Sequence, residues 1–144
     1  MIFVCAMTMA QTNAYPLLPM PQNYKVTDKS FAMGKVKLST PVLKSEWEAF
    51  IVNAGGELAD KAAAEIKVEL LPVIDGVKLN PDEAYRLSVS GKLIKIEAVT
   101  ERGVYWALQT LRQLEKKKGK KSLFAGCEIV DWPAFRIRGF MQDV

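Results

Sequence analysis

Tyr85-Arg-Leu-Ser-Val-Ser90-Gly91-Lys92-Leu93-Ile-Lys-Ile-Glu-Ala98 is the stretch that decides the fold class. Apolar and polar residues alternate on both sides of Gly91-Lys92, the period of strands with one buried face. A two-residue loop would pair Val89 with Ile94, Leu87 with Ile96 and Tyr85 with Ala98, so that all six share a face. Gly91 stands where a type II′ turn needs glycine. A one-residue slip would turn the whole apolar set toward water, so pattern and register specify each other.

On the downstream side, Thr100 is an N-cap for a helix expected over 101–116. Val104, Ala107, Leu108, Leu111 and Leu114 form its apolar stripe, and lysines at its C-terminal end suit the helix dipole. A short strand near 126–130 follows. Upstream, Ile66, Val68 and Leu70 alternate with charged residues, as do Val36 and Leu38 before Thr40-Pro41. Between these strands Ser45 and Glu48 are spaced as a capping box. They open a helix expected over 45–60, with Trp47, Phe50, Ile51, Ala54 and Leu58 on one face and an interruption at Gly55-Gly56. Residues 11–23, with Pro16, Pro19 and Pro21, read as an extended lead-in. Two amphipathic helices and several one-faced strands make an α+β layer: an antiparallel or mixed β-sheet with both helices packed on one face.

The chain has 144 residues, 49% hydrophobic and 25% charged, a length for one domain that folds without disulfides or metal. It contains no histidine. That excludes His-containing triads and leaves the commonest general base and zinc ligand missing. Lysine and arginine number 20 against 16 acids, but five of the lysines lie in one run, Lys116-Lys117-Lys118 and Lys120-Lys121, around Gly119. The run has no interleaved aromatics and reads as a solvated loop rather than a polyanion site, so no nucleic-acid partner is expected. No stretch approaches the length of a membrane span. Cys5 and Cys127 are too far apart in sequence for a Cys-x-x-Cys motif. The apolar start Met1–Met7 resembles the core of a secretory signal, with cleavage permitted before Gln11 or after Ala14. It lacks the usual positive n-region, and a short buried strand is the alternative. A secreted or periplasmic location is the expectation.

Neighbouring carboxylates occur at Asp82-Glu83 and at Glu46 with Glu48. The former follow Asn80-Pro81 in a turn and the latter sit in a helical first turn, where acids favour the dipole. Both read as structural. Trp47 reads as core. Trp106 falls off the main stripe of its helix, where it would pack against a neighbouring domain.

The C-terminal stretch Asp131-Trp-Pro-Ala-Phe-Arg-Ile-Arg-Gly-Phe-Met-Gln-Asp143-Val144 resembles the opening of the catalytic barrel in glycoside hydrolase family 20, the β-N-acetylhexosaminidases. Asp131, Pro133, Phe135, Arg138, Gly139 and Asp143 match a D-x-P-x-F-x-x-R-G segment that leads into the first barrel strand. Upstream, Gly103-Val-Tyr-Trp-Ala-Leu108-Gln109-Thr-Leu111-Arg-Gln113-Leu114 is similar to the family's last helix before the barrel. Residues 1–14 are expected as a signal remnant from the apolar start; the resemblance implies 15–133 as a non-catalytic α+β domain and 134–144 as the start of a truncated (β/α)8 barrel. It implies a glycan substrate ending in GlcNAc or GalNAc and an intramolecular catalytic barrel as partner. The family's adjacent Asp-Glu pair, which works with the substrate's own acetamido group in a retaining mechanism, lies on a later barrel strand. No residue of this chain is therefore expected to be catalytic, and no cofactor or metal is expected. Arg138 is the one substrate-binding residue implied, its guanidinium donating to hydroxyls of the terminal sugar. A salt bridge to Asp143 or Asp131 is the alternative role, and Asp143 would support the pocket. Other readings are a stand-alone carbohydrate- or partner-binding module, and the corresponding domain of a family 84-type hexosaminidase or an α-glucuronidase.

Overall fold

The computed structural model describes residues 17–136. The predicted hairpin is its centre. Tyr85–Ser90 (β6) pairs antiparallel with Leu93–Ala98 (β7) in the register read from the sequence: Val89 opposite Ile94, Leu87 opposite Ile96, Tyr85 opposite Ala98. All six side chains are buried. The turn differs. Gly91 does not have a positive φ, so the turn is not type II′. The Lys92 carbonyl instead accepts the Glu65 amide of the neighbouring strand at 2.8 Å, so the loop is drawn into the sheet. The II′ sign pattern occurs at another Gly-Lys step, Gly119-Lys120, where Gly119 has φ 64°.

Strands continue outward on both sides. Ala64–Leu70 (β5) runs parallel to β7, followed by Lys35–Ser39 (β3) and Glu57–Leu58 (β4), also parallel. Beyond β6 lie Cys127–Asp131 (β10) and Asn23–Val26 (β1), both antiparallel. The seven-stranded order is β1-β10-β6-β7-β5-β3-β4, a mixed sheet. A second sheet of three strands orders Phe31–Ala32 (β2), Lys121–Phe124 (β9) and Glu115–Lys118 (β8) as β2-β9-β8.

The first helix, Lys44–Asn53 (α1), departs from its predicted ends. The capping box does not form. Thr40 closes a local turn by accepting the Val42 amide at 3.3 Å, Leu43 turns left-handed, and Ser45 is already inside the helix. Lys44 engages Glu48 at 3.8 Å, and the Ser45 hydroxyl donates to Glu46. The helix stops in a Schellman motif: Gly56 N–H bonds the Ile51 carbonyl, Gly55 N–H bonds that of Val52, and Gly55 has φ 77°. Leu58 consequently leaves the helical face for β4 and is exposed. The second helix, Glu101–Gln113 (α2), is capped as predicted by Thr100, which accepts the Arg102 amide at 3.2 Å. Its stripe is buried in full.

The lysine run is not a loop. It forms the β8–β9 hairpin, closed over the end of α1. Lys117 Nζ bonds the Asn53 carbonyl at 3.0 Å and Glu115 at 2.6 Å, supplying the positive end-charge that α1 lacks in its own last turn.

Both helices cover one face of the large sheet, forming one cluster with Ile66, Val68, Leu87, Val89, Ile94 and Ile96. Aromatic edges fill the space under α1: Trp47 against Phe50 at 5.8 Å, and Phe50 against Phe124 at 5.5 Å. The opposite face is charged, and its charges alternate across strands. Lys67 and Lys95 share Glu69 at 2.8 and 3.1 Å, while Lys95 and Arg86 share Glu97 at 2.8 and 3.3 Å. Half-exposed pairs of this kind contribute little each, but they leave that face satisfied toward water.

Candidate functional site

Register alone brings the site's polar residues together. Pairing of β10 with β6 places Asp131 opposite Tyr85 at the end of the inner face, where Thr110 of α2 lies above them. Tyr85 donates to Asp131 Oδ2 at 3.3 Å, and its hydroxyl is 2.6 Å from Thr110 Oγ1. Since the carboxylate can only accept, Thr110 donates to Tyr85 in turn. Asp131 Oδ1 accepts the Gln22 backbone amide at 3.1 Å, tying the lead-in segment to the sheet. Burial pushes the Asp131 carboxyl above its ordinary range, against hydrogen bonds from the Gln22 and Trp132 amides and Tyr85. Burial likewise raises the Tyr85 phenol. A raised phenol and a fully engaged carboxylate have the chemistry of a lock, not of an acid–base pair.

Beside this network opens a cleft of about 300 Å³. Leu18, Pro19, Trp106, Gln109, Trp132 and Pro133 line most of it. Gln113 clamps the lead-in by accepting the Leu18 amide at 2.9 Å and donating to its carbonyl at 3.0 Å. The Trp106 indole donates to Glu83 at 3.0 Å, and Asp82 meets Arg102 at 3.7 Å. Asp82 and Glu83 thus fasten a short 3-10 turn, Pro81–Glu83, to the start of α2, the structural role read for them. Trp132 packs in a small second cluster with Ile74 and Ala84.

Arg138 and Asp143, the two site residues named from sequence, lie outside the described residues, as do residues 137–144 of the expected first barrel strand and the apolar start with Cys5; residues 134–136, which are described, are not in a strand. Asp131, the other partner considered for Arg138, has both oxygens engaged within the domain. Among the described residues no three His, Cys, Asp or Glu side chains group as metal ligands. No helix among them is long and apolar enough to cross a membrane. Cys127 is buried, its thiol pushed up to about 12 by burial, which makes it unreactive. Sequence reasoning missed the Tyr85–Thr110–Asp131 network. The signal was present as a polar residue, Thr110, adjoining the buried stripe of α2.

A β-hexosaminidase of Vibrio furnissii is 36% identical over 84 residues, covering 58% of this chain and 13% of that protein. Among solved structures, an inactive mutant of a GH20 exo-β-N-acetylglucosaminidase from Vibrio harveyi matches with a TM-score of 0.66 and 30% identity. That match covers 86% of this chain and 20% of the other. CpGH84B matches with a TM-score of 0.70 over 87% of this chain and 24% of its own, but at 19% identity this is likeness of fold alone. The chain therefore spans a quarter or less of the length of these relatives. The family model described as glycosyl hydrolase family 20, domain 2, matches residues 14–132, all but the two ends. With the mixed sheet and both helices in place over that same span, the chain belongs to glycoside hydrolase family 20 through its domain 2.

Proposed function

We propose that this chain is the non-catalytic α+β domain, residues 15–133, of a longer, secreted or periplasmic β-N-acetylhexosaminidase. Residues 134–144 then begin its catalytic (β/α)8 barrel. The observation that carries this reading is the family match over residues 14–132, joined to relatives more than four times as long as this chain. In this reading the whole protein releases terminal β-linked GlcNAc or GalNAc with retention. The family's Asp-Glu pair, on a later barrel strand, acts with the substrate's own acetamido group, an exception to the two-carboxylate scheme. Barrel sites gather residues from the ends of several strands, so the chemistry belongs to sequence beyond this chain.

Within the chain, Arg138 donates to hydroxyls of the terminal sugar, and Asp143 supports the pocket wall. The domain's own contribution is a fixed base. Asp131 holds the lead-in segment on one side, and Asn80 donates to the Pro133 carbonyl at 2.7 Å on the other, so the chain leaves for the barrel from a pinned point. The test is Arg138→Ala in the whole protein, assayed on a chromogenic N-acetyl-β-glucosaminide. Loss of charge-assisted bonds to sugar hydroxyls should lower kcat/KM by about 2–4 kcal/mol. Wild-type kinetics in that variant would leave the salt-bridge role standing instead.

A further inference from the structure

We propose that the outer face of the β8–β9 hairpin is a docking surface for an acidic polysaccharide, a linear glycan whose sugars carry carboxylates or sulfates. The choice of a glycan rests on the reading above; the charge geometry stands without it. Pairing of β8 with β9 sets Lys118 directly opposite Lys121 and Lys116 opposite Leu123, so the three lysines share one face, away from Ser122 and Phe124. Lys120 stands in the turn, and all four are exposed. Like charges directly opposite each other destabilise a strand pair. The large sheet avoids this, since Lys25 meets Glu128, Lys37 meets Glu65, and Lys95 lies between Glu69 and Glu97. Among the described residues no carboxylate pairs with Lys118, Lys120 or Lys121. The five lysines of the run also carry the whole positive excess of the chain, because without them acids outnumber bases.

A hairpin changes what the lysine run can do, because its charges are held in place. Lys117 turns to the other side, where Glu115, Ser122 and the Asn53 carbonyl engage it. The Ser122 amide donates to the Ala54 carbonyl at 3.0 Å, and the Met33 amide donates to the Ser122 carbonyl at 2.9 Å. A Cβ added at Gly55 would meet the Lys120 carbonyl oxygen at 2.1 Å, so the hairpin backbone lies directly on the end of α1. Guarding an exposed edge accounts for lysines on β8, but not for Lys120 in the turn or Lys121 on β9. Composition selects the occupant. Residues 116–121 are all lysine or glycine, with no aromatic ring to stack on a base and no apolar side chain to enter a membrane. Ammonium groups are point charges without the fixed fork of arginine, so they read charge density rather than the shape of one anion. A polyanionic glycan meets that chemistry, and weak ion pairs along one polymer reinforce each other through effective concentration. In a protein that trims glycan ends, such a surface keeps the polymer close to the pocket.

The experiment measures binding of labelled heparin and labelled polygalacturonate, one sulfated and one carboxylated, to the whole protein by fluorescence anisotropy over a range of salt. One variant combines Lys118→Ser, Lys120→Ser and Lys121→Ser. A second combines Lys25→Ser, Lys37→Ser and Lys67→Ser, removing the same charge from paired lysines of the large sheet. The hairpin variant should bind at least one of the two polymers about tenfold more weakly at low salt. Its slope of log Kd against log salt should fall by about 2, near 0.7 per lost contact as for a single-stranded polyanion. The large-sheet variant should match wild type, and arginine at all three hairpin positions should retain binding. Equal weakening in the two serine variants would overturn the proposal, since net charge alone would then explain it. So would a wild-type protein that binds neither polymer, or one that binds poly(dT) or phosphatidylglycerol vesicles more tightly than either at equal charge. If the whole protein lacks hexosaminidase activity yet the variants still separate, the activity reading fails and the docking surface stands.

Discussion

Gly103 tests how closely α2 sits on the turn that carries Glu83. In an open helix, glycine to alanine stabilises by about 1 kcal/mol. Here an added Cβ would lie 2.2 Å from the Ala84 carbonyl oxygen and 3.0 Å from Ala98 Cβ. Ordinary contact begins near 3.4 Å, so helix and turn must part by about 1.2 Å. Neither yields cheaply, because Thr100 donates to the Asp82 carbonyl and Trp106 to Glu83 across the same junction. Overpacking of this kind costs roughly 1–3 kcal/mol, and weakening two hydrogen bonds adds about 1 kcal/mol. Set against the propensity gain, Gly103→Ala should lose about 2 kcal/mol in urea unfolding followed by circular dichroism and tryptophan fluorescence. A variant as stable as wild type, or more stable, would refute the close approach and with it the described geometry of the cleft.

Gly91→Ala should behave oppositely. Its φ is not positive and nothing lies within 4 Å of an added Cβ, so alanine should stabilise by about 0.4–1 kcal/mol through the unfolded chain; a loss above that size would restore the II′ turn. Replacing Lys118, Lys120 and Lys121 together with serine should change stability by under about 0.5 kcal/mol, and adding Lys117→Ser should cost about 1 kcal/mol more, because only Lys117 bonds Asn53 and Glu115. Equal effects of the two sets in urea titrations would contradict that distinction. Burial works against the Glu97 carboxylate, but Lys95 and Arg86 prevail and hold it below its ordinary range. The stability it contributes is therefore present above about pH 4.5 and is lost as pH falls through its folded value. Glu97→Gln should flatten the acid side of the stability curve between pH 5 and 3, and an unchanged slope there would contradict the assignment. Asp131, raised by burial, has the opposite sign: its contribution is greatest when protonated and is lost as pH rises through its folded value.

What was legible in the sequence was whatever one face of one element decides. The β6–β7 register followed from period-2 alternation because a slip would expose six side chains at once. The α2 stripe and its Thr100 cap were equally local. Legibility failed where neighbours in space compete. Ser45 and Glu48 have capping-box spacing, but Thr40 closes a turn just upstream and Lys44 takes Glu48. The Gly-Lys steps of the two hairpins, Gly91-Lys92 and Gly119-Lys120, have the same local chemistry, yet of these only Gly119 takes a positive φ, because the Lys92 carbonyl is claimed by a parallel strand. The lysine run lacks apolar alternation and so hides β8, whose pairing comes from β9 and the end of α1. For the site, the motif residues Arg138 and Asp143 came from family resemblance. The Tyr85–Thr110–Asp131 lock needed three elements brought together, which no single-segment pattern records.

The proposed function separates a folded non-catalytic domain, this chain, from hydrolysis in the barrel of a longer protein. The direct measurement is release of p-nitrophenol from p-nitrophenyl N-acetyl-β-glucosaminide, by purified residues 1–144 and by the whole protein at equal molarity. The expected result is turnover by the whole protein and none above background by residues 1–144. Turnover by residues 1–144 alone would contradict the assignment of chemistry to the barrel, and an inactive but folded whole protein would contradict the hexosaminidase reading.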